Sequence, residues 1–550
     1  MTRRRAGLLV GAAVVVAVGA SGVWLLVRTP TPSVAAGPPA FVDETASSGL
    51  IHRYDGPDLH QVGGGVAVFD CDDDGRQDLY LAGGEGPAGL YRNASEIGAA
   101  LRFERLASPI TDLDAVNGAY PIDLDGDGLL DLVVLRVGES ALLRGRGECR
   151  FEDAGEALGS TDIDGHATAF SATWEGSAEL PTLAIGRYLT LDAVGQTTFD
   201  CDDNLLLRPA ATGEGYDPPI VLGPGYCTLS MLFSDWDRSG RRDLRVSNDR
   251  QYYRDGMEQL WHMEPGEAPR PYTADDGWVS MQIWGMGIAS RDLTGDGLPE
   301  VYLTSQGDNK LQTLTAGPEQ PTYRDIALRR GVNSAVPFAG GESLPSTAWH
   351  PEFADINDDG FIDLFVSKGN VGAQIGYATR DPNDLFLGQP DGTFVQAADD
   401  AGLLRFDRGR GAALADLNLD GLLDLVVVNY GADVVVWRNV GGGTAAEPAR
   451  MGHWAMLDLV QAGPNRDAIG ARLEIRIGER TTTLERTIGG GHIGGQLGWI
   501  HLGLGPAGEA SVRVTWPDGE TGPWLTVPAD GFSIIERDAT SVRPWSPAGG

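Results

Sequence analysis

Six short aspartate-rich loops recur along the chain, and each is followed at once by an apolar run. Oxygen-bearing side chains stand at the first, third, fifth and ninth positions of every loop, and glycine stands sixth. Alternating carboxylates on a tight turn bring hard oxygen ligands to one point, as a divalent cation requires. The candidate ligands are Asp70, Asp72, Asp74 and Asp78; Asp123, Asp125, Asp127 and Asp131; Asp235, Asp237, Ser239 and Asp243; Asp292, Thr294, Asp296 and Glu300; Asp355, Asn357, Asp359 and Asp363; Asp416, Asn418, Asp420 and Asp424.

The ligand types favour calcium. No cysteine or histidine occupies a ligand position, which argues against zinc and copper, and a flexible oxygen cage with a backbone carbonyl suits calcium better than magnesium. An EF-hand would need a carboxylate at the twelfth position, which here is Leu81, Val134, Val246, Leu303, Val366 or Val427. Solvated Asp-Gly turns are the alternative, and six matched copies argue against them. We therefore predict about six calcium sites.

The spacing of the loops predicts the architecture. The first ligands lie 53 to 63 residues apart, except for a gap of 112 residues between Asp123 and Asp235. That gap holds two periods, so we expect a unit without ligands at Phe170–Leu189. Units of this length with about four short strands are typical of a β-propeller. The sequence predicts an all-β fold, a seven-bladed β-propeller in which Phe41–Leu50 completes the last blade.

The phrases around the loops carry a family resemblance. GGGVAVFD before the first loop and GLYRN at Gly89–Asn93 resemble FG-GAP or VCBS repeats of the integrin-alpha type. NRDAIGARLEI from Asn465, HLGLG from His501 and VTWPDG from Val514 resemble the ASPIC/UnbV domain, which accompanies such propellers in the cartilage acidic protein family. The resemblance implies a β-rich C-terminal domain and a cell-surface interaction role.

These patterns divide the chain. We predict a propeller over 41–445 with an insertion at 190–230, an ASPIC/UnbV-like domain over 450–537 and a flexible tail over 538–550. The glycine-rich run Gly489–Gly495 is interpreted as a turn between strands of the C-terminal domain, because it lacks the Lys-Ser/Thr ending of a phosphate-binding loop.

The N-terminus predicts export. Three arginines precede Ala6–Val27, an uncharged run of 22 residues that as a helix would span roughly 33 Å. We expect residues 1–28 to be a signal anchor or a signal peptide, with 29–40 as a Pro-rich linker, and the remainder outside the membrane. The protein is then either held by a single N-terminal membrane anchor, facing outside, or secreted.

The four cysteines fit an exported protein. Cys201 and Cys227 lie in the predicted insertion and are the favoured disulfide pair. Cys71 and Cys149 could also pair, although Cys71 could equally be a buried apolar residue.

Charge and histidine spacing exclude several functions. A formal net charge of −35 opposes nucleic acid as a partner. The eight histidines form no HExxH motif, and no nucleophile elbow is present, so we predict that the protein is not an enzyme. Tryptophans of the middle units either pack the core or form a contact surface.

The predicted function is that of a calcium-binding propeller acting as a cell-surface or extracellular binding and adhesion module, with an extracellular protein or glycan as ligand. Two alternatives remain at this point: a polysaccharide-active enzyme on a propeller scaffold, and a structural spacer in an envelope complex.

Overall fold

The computed structural model describes residues 35–155, 163–192, 195–213, 215–249 and 256–547. The predicted signal segment, 1–28, and the first part of the linker lie outside these ranges. Within them, helix is limited to one α-helix, α1 (Ala327–Arg330), and three 3₁₀ helices (Asp58–His60, Ala274–Asp276 and Gly317–Glu319). The described residues contain no helix that is both long and apolar enough to span a bilayer.

Seven antiparallel units of four strands each occur among the described residues, and we call them blades 1 to 7; the second and third are joined by a strand pairing into one eight-stranded sheet, and the first gains a fifth strand from the C-terminal part. The strands, numbered in chain order, are β3 (Val66–Phe69), β4 (Asp78–Leu81), β5 (Gly89–Asn93) and β6 (Phe103–Leu106) in blade 1; β7 (Val116–Ile122), β8 (Asp131–Glu139), β9 (Ala141–Gly145) and β10 (Phe151–Asp153) in blade 2; β11 (Asp164–Thr173), β12 (Thr182–Arg187), β15 (Asn204–Leu207) and β16 (Ile220–Leu222) in blade 3; β17 (Thr228–Ser234), β18 (Asp243–Asn248), β19 (Gln259–His262) and β20 (Arg270–Pro271) in blade 4; β21 (Gly285–Arg291), β22 (Glu300–Ser305), β23 (Lys310–Leu314) and β24 (Tyr323–Asp325) in blade 5; β25 (Ala348–Ala354), β26 (Asp363–Lys368), β27 (Asp384–Gly388) and β28 (Phe394–Gln396) in blade 6; and β29 (Gly409–Ala415), β30 (Asp424–Asn429), β32 (Val435–Asn439) and β1 (Phe41–Asp43) in blade 7.

The blades form a closed ring. The first strands of successive blades pack against one another in chain order, and β29 of blade 7 packs against β3 of blade 1. The N-terminal strand β1 pairs with β32, with Phe41 opposite Asn439. This pairing joins the two ends of the ring and covers an edge that would otherwise be open. The predicted all-β propeller class is confirmed, as is the role of the N-terminal strand.

Burial explains the strand sequences. Strand β30 reads DLVVVN, and all six of its residues are buried. A strand that is covered on both faces by neighbouring blades needs apolar, β-branched residues on both faces rather than an alternating pattern.

A small sheet of β2 (Arg53–Tyr54) and β31 (Ala432–Asp433) also links the first and last blades.

The predicted insertion at 190–230 is too wide. Strands β15 and β16 pair with β12 and with each other as the outer strands of blade 3. Among the strands described in this region, only the hairpin of β13 (Leu189–Leu191) and β14 (Thr197–Cys201) lies outside the blade sheets. The sequence does not indicate these outer strands, because blade 3 lacks an acidic loop to mark the start of its second strand.

The C-terminal part forms two four-stranded sheets, which we call the tail domain. Its strands are β33 (His453–Val460), β34 (Arg472–Ile477), β35 (Arg480–Glu485), β37 (Ile500–Gly505), β38 (Glu509–Thr515), β39 (Leu525–Pro528), β40 (Gly531–Glu536) and β41 (Arg543–Trp545). One sheet has the order β37-β33-β40-β41 and the other β35-β34-β38-β39. Because β41 pairs with β40, the prediction of a flexible tail from residue 538 is wrong for this strand.

Both cysteine pairs are disulfide-bonded. Cys201–Cys227 ties the β13–β14 hairpin to the start of blade 4, and Cys71–Cys149 joins the first acidic loop to blade 2. The favoured pair is therefore confirmed, and the second pair, which the sequence left open, also forms.

We expect the longer disulfide to contribute more stability. A Cys71→Ala/Cys149→Ala variant should lose about 4 kcal/mol of unfolding free energy and Cys201→Ala/Cys227→Ala about 3 kcal/mol, because the cross-links close loops of different length in the unfolded chain. Urea denaturation midpoints of the two double variants measure this difference. Unchanged midpoints would contradict it.

Candidate calcium loops and the tail-domain interface

The six aspartate loops each connect the first and second strands of a blade, so we number them by blade. They are loop 1 (70–78), loop 2 (123–131), loop 4 (235–243), loop 5 (292–300), loop 6 (355–363) and loop 7 (416–424). In blade 3 the equivalent connection, 174–181, lacks the acidic pattern, as predicted. All six loops therefore lie on one face of the ring, which we call the loop face.

The first aspartate of each loop organises the turn through backbone hydrogen bonds. Asp70 Oδ2 accepts from the amide of Gly75 at 2.6 Å, and its Oδ1 accepts from the amides of Asp72 and Asp74 at 3.2 and 3.3 Å. Gly75 has a φ of 86°, which other residues adopt only at a cost. The same glycine-to-aspartate bond recurs in the other five loops at 2.6 to 3.1 Å.

The ninth-position carboxylate has a second role that the sequence did not indicate. Asp78 Oδ2 accepts from the amide of Cys71 at 2.8 Å, and Oδ1 accepts from the amide of Asn93 at 2.7 Å. Asn93 ends β5, so this carboxylate ties the loop to the third strand of its own blade. Loops 2, 6 and 7 repeat both bonds.

Acidic oxygens converge most closely in loops 1 and 2. Within each of these loops, one oxygen from each of three aspartates lies within 4.8 Å of the other two: Asp70, Asp72 and Asp78 in loop 1, and Asp123, Asp125 and Asp127 in loop 2. In the described part of the chain, loops 4 to 7 bring no three acidic groups so close. In loops 5, 6 and 7 the third position is a neutral oxygen donor: Thr294, Asn357 or Asn418.

Two third-position oxygens are buried without a hydrogen-bond partner, namely Asp72 Oδ1 and Asn418 Oδ1. The Asn418 amide group donates to Ala99 O at 2.9 Å and to Asp420 Oδ2 at 3.1 Å, which fixes the orientation of its oxygen. Buried polar atoms nearly always have a partner, and a cation beside each of these oxygens would supply one. The donor sets of these loops therefore fit calcium.

Burial raises the pKa of most loop carboxylates. Desolvation is the largest cause, and repulsion from neighbouring carboxylates adds to it: the pKa of Asp70 rises to about 7, that of Asp123 to about 6 and that of Glu300 to about 7. The pKa values of Asp355 and Asp363 lie well above the usual range for the same two reasons. A divalent cation would stabilise the charged forms of such groups.

Loop 4 differs because a guanidinium group lies among its carboxylates. Arg241 Nε donates to Asp243 Oδ1 at 2.9 Å, and Nη2 donates to Asp237 Oδ2 at 3.3 Å. Burial would raise the pKa of Asp243, but hydrogen bonds from Arg241, the Met263 amide, Tyr272 and other donors outweigh it and lower the pKa. The loop thus contains an internal cation, and its residues fit calcium less well than those of the other loops.

Arginines also approach loops 1 and 2, at the third and fifth positions. Arg76 Nη1 lies 2.9 Å from Asp74 Oδ2, and Arg144 pairs with Asp125 and lies 3.7 Å from Asp127. Among the described residues, neither arginine forms an ion pair with the first or ninth carboxylate of its loop. In each of these loops the first and ninth carboxylates, which are the most buried, therefore have no positively charged partner in the part of the chain that the structure describes.

The tail domain covers the loop face. Hydrogen bonds join the two at loops 1, 2, 4, 5 and 6: from Trp499 to Gly75 O, from Arg466 to Gly128 O, from Arg242 to Gly470 O, from Thr483 to Asp292 Oδ2 and from Arg480 to Gly360 O. Three of the acceptors are carbonyls of sixth-position glycines. Ions in these loops would therefore lie at an interdomain interface rather than on an open surface.

Residues 487–497, which we call the axial segment, leave the tail domain and enter the centre of the ring. The amides of Gly490 and Gly491 donate to Met231 O at 2.6 Å and Ile288 O at 2.7 Å, on the first strands of blades 4 and 5. The segment ends in β36 (Gln496–Leu497), which pairs in parallel with β3 of blade 1. The prediction of a turn within the tail domain is therefore wrong: the glycines allow close approach to the inner strands.

The buried histidine of the axial segment contacts a second buried histidine, in blade 6. The His492 amide donates to Nδ1 of His350 at 3.1 Å, and the His492 ring packs 4.9 Å from that of Trp349. Burial is the main cause that lowers the pKa of His492, and of His166 in blade 3, to about 3. Both rings are therefore neutral packing groups at physiological pH.

A cavity of about 810 Å³ lies between the tail domain and blades 5 to 7. Arg291, the last residue of β21, and Trp499 of the tail domain both line it. Sequence reasoning missed this site. Arg291 directly precedes the first ligand of loop 5, but nothing in the local pattern distinguishes it from other arginines.

Comparisons with known proteins agree with this division. A family described as FG-GAP-like repeat matches residues 70–134, and one described as ASPIC and UnbV matches residues 461–542. Cartilage acidic protein 1 of Homo sapiens is 29% identical over 528 residues, covering 88% of this chain and 74% of that protein. The Mus musculus protein of the same name is 23% identical over 496 residues, covering 84% and 71%.

Among solved structures, an Agrocybe aegerita lectin that recognises non-reducing terminal N-acetylglucosamine is similar with a TM-score of 0.36 and 14% identity, covering 66% of this chain and 88% of that one. The FG-GAP and ASPIC/UnbV resemblance predicted from the sequence is confirmed. The chain thus combines FG-GAP-like repeats in a β-propeller with a C-terminal ASPIC and UnbV domain, and over most of its length it is similar to cartilage acidic protein 1.

Proposed function

We propose that loops 1, 2, 5, 6 and 7 bind calcium and that the ions stabilise the propeller and its contact with the tail domain. The main support is the pair of buried, unpartnered oxygens on Asp72 and Asn418. The raised pKa values of buried loop carboxylates agree with it, because a divalent cation would compensate their charge. Loop 4 is left out, since Arg241 pairs there with the buried ninth-position carboxylate, Asp243, as well as with Asp237, whereas the arginines beside loops 1 and 2 do not reach the ninth position.

Two matched variants test this assignment. Asp359→Asn at the fifth position of loop 6 should remove one of five ions, whereas Asp237→Asn at the third position of loop 4 should leave the ion count unchanged. Calcium bound per protein, measured by elemental analysis after dialysis against millimolar calcium, distinguishes them. Loss of an ion from the Asp237 variant would contradict the assignment of loop 4.

We further propose that the protein acts outside the cell as a non-catalytic binding module. Millimolar extracellular calcium would fill sites whose dissociation constants are about 0.1 to 1 mM, and two disulfides suit an oxidising compartment. Export through the N-terminal segment, as an anchor or a cleaved signal, belongs to the same proposal. A polysaccharide-degradation assay tests the non-catalytic part, because turnover by the purified protein would contradict it.

The binding surface that we propose is the face opposite the loops, because the tail domain covers the loop face. In blades 5 and 6 that face exposes apolar side chains: Ile375 is 98% exposed, Val336 50% and Leu344 44%. These residues lie in connections that run from second to third strands or between blades, at the opposite end from the loops. Exposed apolar groups favour a protein over a glycan as ligand.

Capture from a cell-envelope extract tests this surface. An Ile375→Glu variant of the immobilised protein should capture its ligand at least tenfold less than the wild type, because a buried glutamate would oppose apolar docking. Val395→Glu, on the exposed edge of blade 6, is the matched control and should capture normally. Equal capture by both variants would contradict the assignment, and no capture by the wild type would favour a structural spacer.

A further inference from the structure

The cavity between the tail domain and blades 5 to 7 contains a buried arginine that the protein leaves without a partner. Arg291 is 7% exposed, and its Nε is buried without a hydrogen-bond acceptor. Within the described ranges, no carboxylate lies within the 4.0 Å of an ion pair, and no hydrogen bond from its guanidinium is formed. The group lines the cavity of about 810 Å³.

The other buried arginines show that this is exceptional. Four more arginines among the described residues are buried, and each has a partner. Arg438 pairs with Glu44 at 2.9 Å, and Arg486 pairs with Asp458 at 2.8 Å. The remaining two are Arg245, which bonds to Gln312, and Arg410, which donates to the carbonyls of Gln61 and Val371.

The acidic side chains near Arg291 accept hydrogen bonds from other groups. Asp292 Oδ2 accepts from the amides of Thr483 at 3.0 Å and Gly297 at 3.1 Å. Glu352 Oε1 accepts from Gln496 at 2.9 Å, and Oε2 accepts from the amide of Leu414 at 3.1 Å. Asp292 and Asp355 attract the guanidinium over a longer distance, but neither forms an ion pair with it. A buried charge without an ion-pair partner costs several kcal/mol, so an anion from outside the chain would stabilise Arg291.

The other residues that line the cavity indicate which kind of anion it would bind. Phe353, Met456 and Trp499 contribute apolar and aromatic surface, and the volume lies within the range of small-molecule sites. A guanidinium presents two parallel N–H groups, which match the two oxygens of a carboxylate. We propose that this interdomain cavity binds a small organic carboxylate with an apolar body, paired through its carboxylate to Arg291.

This inference does not depend on calcium binding. Its test compares two probes of similar shape, 1-naphthoate and the neutral 1-naphthamide, by titration calorimetry on the purified protein in millimolar calcium. We expect naphthoate to bind at least tenfold more tightly than naphthamide. Equal affinity of the two probes, or no binding of either, would overturn the proposal without the need for any variant.

Two variants then test whether Arg291 is the group that pairs with the carboxylate of the probe. Arg291→Met should remove the preference for naphthoate while the melting temperature stays the same or rises, because the apolar side chain no longer buries an unpaired charge. A purely structural arginine would instead give a lower melting temperature and unchanged probe preference. Arg102→Met, with a side chain that is 70% exposed on blade 1, is the control and should bind both probes as the wild type does. Wild-type preference in the Arg291 variant would also overturn the proposal.

Discussion

Removal of calcium with EDTA is expected to lower the melting temperature of the protein by about 6 °C. At about tenfold excess over its dissociation constant, each ion contributes about 1.4 kcal/mol, so five ions contribute about 7 kcal/mol. An unfolding entropy of about 2.1 cal/mol/K per residue makes one degree equal to about 1 kcal/mol in a chain of this length. Differential scanning calorimetry in EDTA and in millimolar calcium measures the shift.

Magnesium provides the control for this experiment. Restoring calcium after EDTA should recover the full melting temperature, whereas the same concentration of magnesium should recover little, because magnesium requires near-octahedral geometry and gives up its water reluctantly. A melting temperature that is the same in EDTA and in calcium would contradict the structural role of the ions.

Placing a single methyl group on the axial segment is expected to destabilise the protein by about 3 kcal/mol. In Gly494→Ala the new Cβ would lie 2.3 Å from Val66 O on β3, far inside van der Waals contact with backbone that cannot move freely. The converse change, Gly65→Ala, would place a Cβ 1.6 Å from Ile493 O. Either change should push the segment away from the first strands and weaken the attachment of the tail domain.

Urea denaturation together with hydrogen exchange measures this effect. Loss of protection at Val68, whose amide donates to Gly495 O at 3.0 Å, would report displacement of the segment. Gly508→Ala is the matched control in the same domain, because its Cβ would meet no atom within 4 Å, and it should change stability by less than about 0.5 kcal/mol. Equal effects of the Gly494 and Gly508 variants would show that the axial segment is not tightly packed.

Much of the propeller could be predicted because its markers are local. Each acidic loop precedes a buried strand, and the missing last strand of blade 7 reappears at Phe41–Asp43. The sequence predicts the place of blade 3 but not its outer strands, since no acidic loop marks this blade. The position of the axial segment could not be predicted, because it depends on contacts between residues more than 100 positions apart, such as Gly490 and Met231.

The candidate site was predicted only in part. The glycine at the sixth position and the first aspartate behave as the loop pattern indicates. Loop 4 has arginine at its seventh position, where loops 2, 5, 6 and 7 have leucine or phenylalanine, but this signal is ambiguous. Loop 1 also has Arg76 there, and that side chain bonds to Asp74 and Ser95 O instead. Only the three-dimensional contacts distinguish Arg241, which takes the place of a cation in its loop, from Arg76, which would lie beside a bound cation.

The most direct measurement is the location of the ions themselves. Anomalous difference maps from crystals grown in millimolar calcium should show one peak within each of loops 1, 2, 5, 6 and 7, with Asp72 Oδ1 and Asn418 Oδ1 among the ligands, and none in loop 4. Maps without peaks at these carboxylates, from crystals that diffract well enough to reveal calcium, would contradict the account.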